Sequence, residues 1–224
     1  MLVSQEENYL NPEQIESFIN ILPQVISTRK QFKAIDIQMM VRIQYSCALR
    51  ISEVLTLTPN DFDLINLILT LNNTKTGFKK CKCSKFKNRK LISFDPKCSK
   101  CKGLGKIRKP QFTTIWNKDK DAIRSYLKDK PTHKPLFQIT RLTAWRYYKK
   151  AGILLGLHIR EQQEERAIEG IWTHLLRKCN AKLMERKGAN ETLIKLKLRH
   201  TFTVTERYTK PDIQYLKRWE SENL

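Results

Sequence analysis

Ile15, Phe18, Ile19 and Leu22 fall three and four residues apart, the spacing that lines one face of a helix. Asn11-Pro12-Glu13 stands just ahead of them. It supplies a capping side chain, a proline suited to the first helical position and an acid at the positive end of the dipole. Pro23 ends the regular part of this helix or kinks it. Ile35, Met39, Ile43 and Cys47 repeat every four residues and predict a second helix from about Lys33. Ser52 is placed to cap a short third helix, and Thr58-Pro59-Asn60-Asp61 reads as a turn. The pattern then changes. Leu64 to Leu71 is dense in Leu and Ile and predicts a strand, with turn residues Asn72-Asn73 and Thr76-Gly77 around Lys75. Ile107 to Thr113 reads as the returning strand.

From Thr114 onward helical spacing resumes. Helices are predicted over Asp119 to Lys130, ended by Pro131, and over Thr140 to Leu155, with Trp145, Tyr148 and Ile153 as core. Another runs from Thr173 to Arg186, stopped by Gly188, and the next from Asn190 to about Arg199. Pro211-Asp212 opens the last, whose Ile213, Leu216 and Trp219 form an apolar stripe. Residues 157–170 are charged and read as an exposed connection. The expected fold is mainly α with a small antiparallel β-sheet (α+β). Its expected organisation is a flexible segment at 1–10, one domain over 11–210 carrying a Cys-rich insertion at 78–110, and a C-terminal helix or tail at 211–224.

Charge adds a partner to this picture. The 224 residues hold 43 Lys+Arg against 22 Asp+Glu, a formal net charge of +21. Such an excess favours a polyanion, through phosphate contacts and counterion release. No apolar run approaches the roughly 20 residues that a spanning helix needs. The first residues carry no signal-peptide pattern. An intracellular, soluble protein that binds nucleic acid is therefore expected.

Four of the six cysteines cluster at Cys81, Cys83, Cys98 and Cys101. In a reducing compartment clustered cysteines more often hold metal than disulfides. Cys98-Ser99-Lys100-Cys101-Lys102-Gly103-Leu104-Gly105 has the form of a zinc knuckle, with glycines that let backbone amides turn toward sulfur. Cys81-Lys82-Cys83 is tighter than usual. Structural Zn²⁺ on the four thiolates is expected, and four thiolates leave no open position for catalysis. Lys79, Lys80, Lys82, Lys85, Lys87, Arg89 and Lys90 surround the cluster and are candidate DNA contacts.

A second constellation is spread over the chain: Arg50, Glu53, Lys75, His174, Arg177, His200 and Tyr208. Taken singly each is ordinary, since a tyrosine in a basic tail or a lysine in a polar turn usually faces solvent. Together they suit attack on a phosphodiester. Arginine forks grip non-bridging oxygens while staying charged, so Arg50 and Arg177 fit a phosphate. His200 can add a third donor. His174, three residues before Arg177, shares its helix face and can take a proton as general base. Tyr208 can serve as nucleophile, Lys75 as the general acid for the leaving oxygen, and Glu53 as the group that orients Arg50.

In order and context these residues resemble the tyrosine recombinases, or phage integrase family. Ala48-Leu49-Arg50-Ile51-Ser52-Glu53-Val54-Leu55 resembles the family's first motif, and Thr74-Lys75-Thr76-Gly77 its lysine-bearing hairpin turn. Thr173-His174-Leu175-Leu176-Arg177, Leu198-Arg199-His200 and Thr205-Glu206-Arg207-Tyr208-Thr209 resemble the second arginine motif, the third box and the nucleophile segment. The resemblance runs from about Asn11 to Tyr215. It implies metal- and ATP-free strand exchange on double-stranded DNA through a 3′-phosphotyrosine, a released 5′-hydroxyl and a Holliday junction. It also implies a tetramer, usually assembled by a C-terminal segment docking on a neighbour.

Three positions depart from the pattern. Arg199 replaces a small residue, usually Gly; the interval from His200 to Tyr208 is one residue tighter than common; and Lys210 stands where His is frequent. A helical N-terminal clamp domain, usual in the family, does not precede the motifs in this sequence. Three rival readings exist: a type IB topoisomerase with the same chemistry, a catalytically silent DNA-binding protein of the same fold, and an RNA-binding zinc protein. The last leaves the ordered Arg, His and Tyr residues unexplained.

Overall fold

The computed structural model describes residues 9–26, 33–72, 78–87, 90–93, 95–101, 105–160, 167–169, 171, 173–200 and 212–224. The chain divides into two compact units, one of residues 1–69 with 112–224 and one of residues 70–111. The larger is mainly helical. Its helices are α1 (Pro12–Ile21), α2 (Ala34–Ser46), α3 (Ile51–Val54), α4 (Lys120–Leu127), α5 (Arg141–Leu154), α6 (Leu175–Arg186), α7 (Glu191–Lys197) and α8 (Ile213–Asn223). The strands are β1 (Phe62–Asp63), β2 (Ile68–Leu71), β3 (Phe78–Lys80), β4 (Lys85–Lys87), β5 (Lys90–Ser93), β6 (Lys106–Arg108), β7 (Gln111–Thr114), β8 (His158–Arg160) and β9 (Ala167–Glu169). β1, β2 and β7 form a three-stranded sheet in that order, and the remaining strands pair in twos.

Local chemistry sets the helix ends. Asn11 accepts from the Gln14 amide at 2.8 Å and Gln14 Oε1 accepts from the Asn11 amide at 2.9 Å, a reciprocal cap. Asn190 and Asp212 cap α7 and α8 by accepting from the Leu193 and Tyr215 amides. Gly188 stops α6 in the left-handed region at φ 82°, where a glycine lacks the Cβ penalty.

Four elements differ from expectation. The strand foreseen from Leu64 starts at Ile68, because Asp63 Oδ1 accepts from the Asn66 amide at 2.9 Å and closes a turn that leaves Ile65 in solvent. Pro110 breaks the returning strand, separating β6 from β7. On α5 the buried face is Ala144, Tyr147, Tyr148 and Ala151, while Trp145 and Ile153 are exposed. Within 157–170, β8 and β9 pair antiparallel, Ile159 opposite Ile168.

Buried aromatic and polar groups tie the helical unit together. Trp116 stands edge-on to Tyr45 with centroids 4.8 Å apart, and Phe18 meets Tyr148 at 5.6 Å. Leu216 of α8 is fully buried in a cluster with Met184, Ala189 and Leu193 of the same chain, worth about 1.5–3 kcal/mol for that side chain. Beside it Lys197 Nζ, wholly buried, pairs with Glu220 Oε1 at 2.7 Å and donates to Thr114 Oγ1 at 2.8 Å and to the Thr114 carbonyl at 3.1 Å. α8 is thereby fixed by both apolar contact and a dry ion pair.

Removing one partner of such a pair strands the other charge. Lys197→Met is expected to lower unfolding free energy by about 3–5 kcal/mol in urea titration. The double variant Lys197→Met/Glu220→Leu, which buries neither charge, is expected to recover most of that loss.

Candidate active site and metal centre

The site in the helical unit begins where α2 ends. The Leu49 amide donates to the Gln44 carbonyl at 2.9 Å, and Ala48 takes φ 50°, so the chain reverses sharply. Arg50 emerges extended at the start of α3. Its amide donates to Glu53 Oε2 at 2.8 Å and its Nη1 to Glu53 Oε1 at 2.9 Å. Glu53, not Ser52, therefore caps this helix while also holding the Arg50 side chain. Gln44 adds rigidity from beneath. Its amide nitrogen donates to the Thr173 carbonyl at 2.6 Å and the Leu49 carbonyl at 3.2 Å, and its oxygen accepts from Tyr148 OH at 2.7 Å. One buried side chain thus fixes both motif segments.

Arg177 lies in the first turn of α6 and is buried. Its Nη1 donates to the Ala48 carbonyl at 2.5 Å and its Nη2 to the Leu198 carbonyl. Each terminal nitrogen keeps a second hydrogen for another acceptor. Burial, then Arg199 and Arg50, push the guanidinium down to about 9, a marker of positive charge crowded out of water.

In the sequence Arg199 is only a departure from glycine; in the structure it is a hub. It does adopt the left-handed backbone, φ 55°, which costs a non-glycine residue about 1–2 kcal/mol. Its buried fork spans several acceptors: Nη2 reaches Glu53 Oε2 at 2.7 Å and the Ala48 carbonyl at 3.2 Å, and Nη1 reaches the Lys197 carbonyl at 3.1 Å. Hydrogen bonds to a charged partner, worth about 1.5–3 kcal/mol, offset that strain. Glu53 is in consequence shared by two arginines. Burial raises its carboxyl, but Arg199 and then Arg50 outweigh burial and hold it below the ordinary range.

His174 and His200 complete the cluster at its solvent side. Partial desolvation, then Arg177 and Arg50, lower His174; the same causes, with Arg199 and Lys195, lower His200. Both imidazoles are therefore neutral at pH 7 and able to accept a proton. Arg50, Glu53, His174, Arg177 and His200 share one electrostatic environment. His174 and Arg177 differ in burial despite their common turn, because α6 begins at Leu175 with His174 at its cap. Lys75 and Tyr208 lie outside the described residues. Gln44 and Arg199 were missed as site residues. Gln44 sits in an apolar helical run, where an isolated amide is the available signal of a buried network.

In the unit of residues 70–111, Cys81, Cys83, Cys98 and Cys101 place their Sγ atoms within 4.8 Å of one another. β3 pairs with β6 and β4 with β5, bringing the two halves together. The Gly105 amide donates to Cys101 Sγ at 3.2 Å, and Gly105 has φ 65°, the backbone turn expected of a knuckle. A hydrogen bond from the Cys101 backbone, then the Cys83 thiol, lowers Cys98 to about 7. A backbone contact at Asp95 pulls Cys83 down, but desolvation and the three other thiols together push it up to about 12. Four sulfurs so close, with all six cysteines free of disulfides, fit a tetrahedral thiolate site for Zn²⁺. Lys82, Lys85 and Lys87 are exposed; Lys79 and Lys80 lie on β3 and Lys90 on β5, and Arg89 lies outside the described residues.

Comparison with known proteins places this architecture. The family profile described as "Phage integrase family" matches residues 8–214. The fold is similar to XerA recombinase, with TM-score 0.55 and 16% identity over 96% of this chain and 64% of that one. It is similar to the Tn1549 transposon integrase in complex with circular intermediate DNA, with TM-score 0.54 and 16% identity over 93% of this chain and 62% of that one. It is also similar to the catalytic domain of bacteriophage HP1 integrase, with TM-score 0.50 and 17% identity over 94% and 85%. The chain spans less than two thirds of the XerA and Tn1549 chains. At these identities the likeness is one of fold. No curated protein matches in sequence. Among the described residues no helix is long and apolar enough to cross a membrane.

Elemental analysis of the purified protein is expected to find one zinc per chain. Cys98→Ser/Cys101→Ser is expected to lose it, and the amides of residues 78–108 to lose protection from hydrogen exchange with it.

Proposed function

Because the chain belongs to the phage integrase family, we propose that it is a site-specific DNA recombinase that cuts and rejoins strands through a 3′-phosphotyrosine. The observation that carries this reading is the clustering of three arginines: Arg50 and Arg199 share the carboxylate of Glu53, and Arg177 and Arg199 share the Ala48 carbonyl, with His174 and His200 exposed at the edge. Three guanidiniums against one carboxylate leave a local excess of positive charge. A phosphodiester, singly charged in the ground state and more highly charged in the transition state, complements that excess.

In the proposed reaction the Tyr208 oxygen attacks phosphorus and the bond to the 5′ oxygen breaks. His174 takes the phenolic proton, and Lys75 gives a proton to the leaving oxygen. Arg50, Arg177 and His200 bind the non-bridging oxygens, and Glu53 orients Arg50. Reversal by a different 5′-hydroxyl completes the exchange, with bond energy held in the phosphotyrosine. Residues 11–210 form the catalytic domain in this reading. Double-stranded DNA is the proposed partner, a reading supported by the Tn1549 transposon integrase being in complex with circular intermediate DNA, and several copies assemble on it, a tetramer being the expected unit. Zn²⁺ on Cys81, Cys83, Cys98 and Cys101 is structural, holding a basic flap whose lysines meet the DNA backbone. The type IB topoisomerase reading would replace this one if the protein relaxed supercoils without site preference.

Incubation with nicked duplex DNA is expected to give a covalent adduct on a denaturing gel, lost in Tyr208→Phe; persistence of the adduct moves the nucleophile elsewhere. Since a lowered histidine remains a base further into acid, the acid limb of adduct formation is expected to have its midpoint below the 6.5 of a free imidazole, read from adduct yield against pH. Reversing Lys82, Lys85 and Lys87 to Glu is expected to weaken DNA binding at least tenfold at low salt. It should also flatten the dependence of log K on log salt by about 0.9 for each phosphate that is no longer neutralised.

A further inference from the structure

Arg199 is absent from the reaction just described, yet its side chain is among the most heavily engaged in the helical unit. The two oxygens of Glu53 are divided: Oε1 accepts from Arg50 Nη1, and Oε2 from the Arg50 amide and from Arg199 Nη2. The division limits Arg50 to one side-chain contact with that carboxylate among the described residues, and leaves the Arg50 side chain 26% exposed. An arginine and a carboxylate left to themselves favour a two-bond fork. Such a fork would use one hydrogen on each Arg50 terminal nitrogen and turn that paired edge of the guanidinium to Glu53, where a phosphate could no longer be gripped by it.

The same guanidinium ties two reversals of the chain together. Ala48 and Arg199 both occupy the left-handed region, one just before Arg50 and the other just before His200. The Ala48 carbonyl accepts from Arg199 Nη2 and from Arg177 Nη1. The Arg199 amide donates to the Leu196 carbonyl and the His200 amide to the Lys195 carbonyl, so the backbone that presents His200 is the backbone that carries Arg199.

We propose that Arg199 is a positioning residue of the phosphate site: it occupies one oxygen of Glu53, holds Arg50 to a single contact and locks the segments bearing Arg50 and His200 in register. This rests on the recombinase reading for its consequence in catalysis, but not for its geometry. A glycine here, the residue the backbone conformation favours, would relax the turn and free Glu53 to chelate Arg50.

The test compares the wild-type chain with Arg199→Gly, Arg199→Met and Arg199→Lys by three measurements: affinity for nicked duplex DNA, the single-turnover rate of adduct formation, and amide exchange over residues 48–53. Arg199→Gly is expected to bind DNA within about threefold of wild type, to form adduct at least tenfold more slowly, and to exchange the Leu49 and Arg50 amides at least tenfold faster. Arg199→Lys keeps a cation beside Glu53 and is expected to recover part of both losses. Arg199→Met fills similar volume without charge and carries the test should the glycine variant not fold. Wild-type rate and wild-type exchange in the Gly or Met variant would overturn the proposal. If the wild-type chain itself forms no adduct the recombinase reading falls, while the exchange measurement still decides whether Arg199 holds the site together.

Discussion

Among the described residues Glu53 is the one carboxylate paired with a buried cluster of arginines, and the arrangement around it depends on that charge. Moving an ion out of water costs several kcal/mol even after relaxation, so three buried or half-buried guanidiniums are tenable only with acceptors at hand. Glu53 supplies the ionic share, divided between Arg50 and Arg199. Backbone carbonyls at Ala48, Lys197 and Leu198 supply the rest. One carboxylate does not neutralise three cations. The residue of positive charge, open to solvent at Arg50 and the two histidines, is a standing affinity for an anion, preorganised before any ligand arrives.

That preorganisation is expensive in backbone terms. Ala48 and Arg199 are two of the three non-glycine residues with positive φ among the described residues, and both flank the cluster. Local strain concentrates at sites that the surrounding structure over-determines. Here the surrounding structure is visible: Gln44 bonds both motif segments from below, and Asn180 of α6 donates to the Tyr45 carbonyl of α2 at 2.7 Å. Sharp reversals put Arg50 and His200 where straight helices would not, and buried amides keep the reversals from relaxing.

The helices were legible because their signals are local. The caps Asn11, Asn190 and Asp212 and the stop at Gly188 lie within four residues of the backbone groups they satisfy. The sheet was less so. Asp63 and Asn66 overrode the apolar run that began at Leu64, and Pro110 divided a strand that apolar content alone had joined. On α5, apolar residues occupy more of the circumference than the core covers, so periodicity could not tell Tyr148, buried, from Trp145 and Ile153, exposed. At the candidate site, motif order singled out Arg50, Glu53, His174, Arg177 and His200. It could not find Gln44 or the role of Arg199, whose partners lie 129 and 146 residues away in the chain. Those contacts are products of topology, and no window on the sequence contains both ends.

The unit of residues 70–111 presents the opposite economy. Forty-two residues, the span from 70 through 111, are near the lower limit at which an apolar core alone sustains a fold, and chains of that size ordinarily rely on disulfides, metals or oligomers. This stretch is rich in lysine. Its strands, three and four residues long, pair in twos, and isolated two-stranded ribbons are marginal in water. Among its described side chains Leu71, Cys81 and Cys101 are buried. A metal on the four sulfurs, as proposed, would supply the stabilisation that a hydrophobic cluster provides elsewhere. A metal bound there would act on the unfolded chain, closing loops that short strands cannot close. Lys82, Lys85 and Lys87 are exposed, so such a site would let this basic stretch keep a defined shape without neutralising itself.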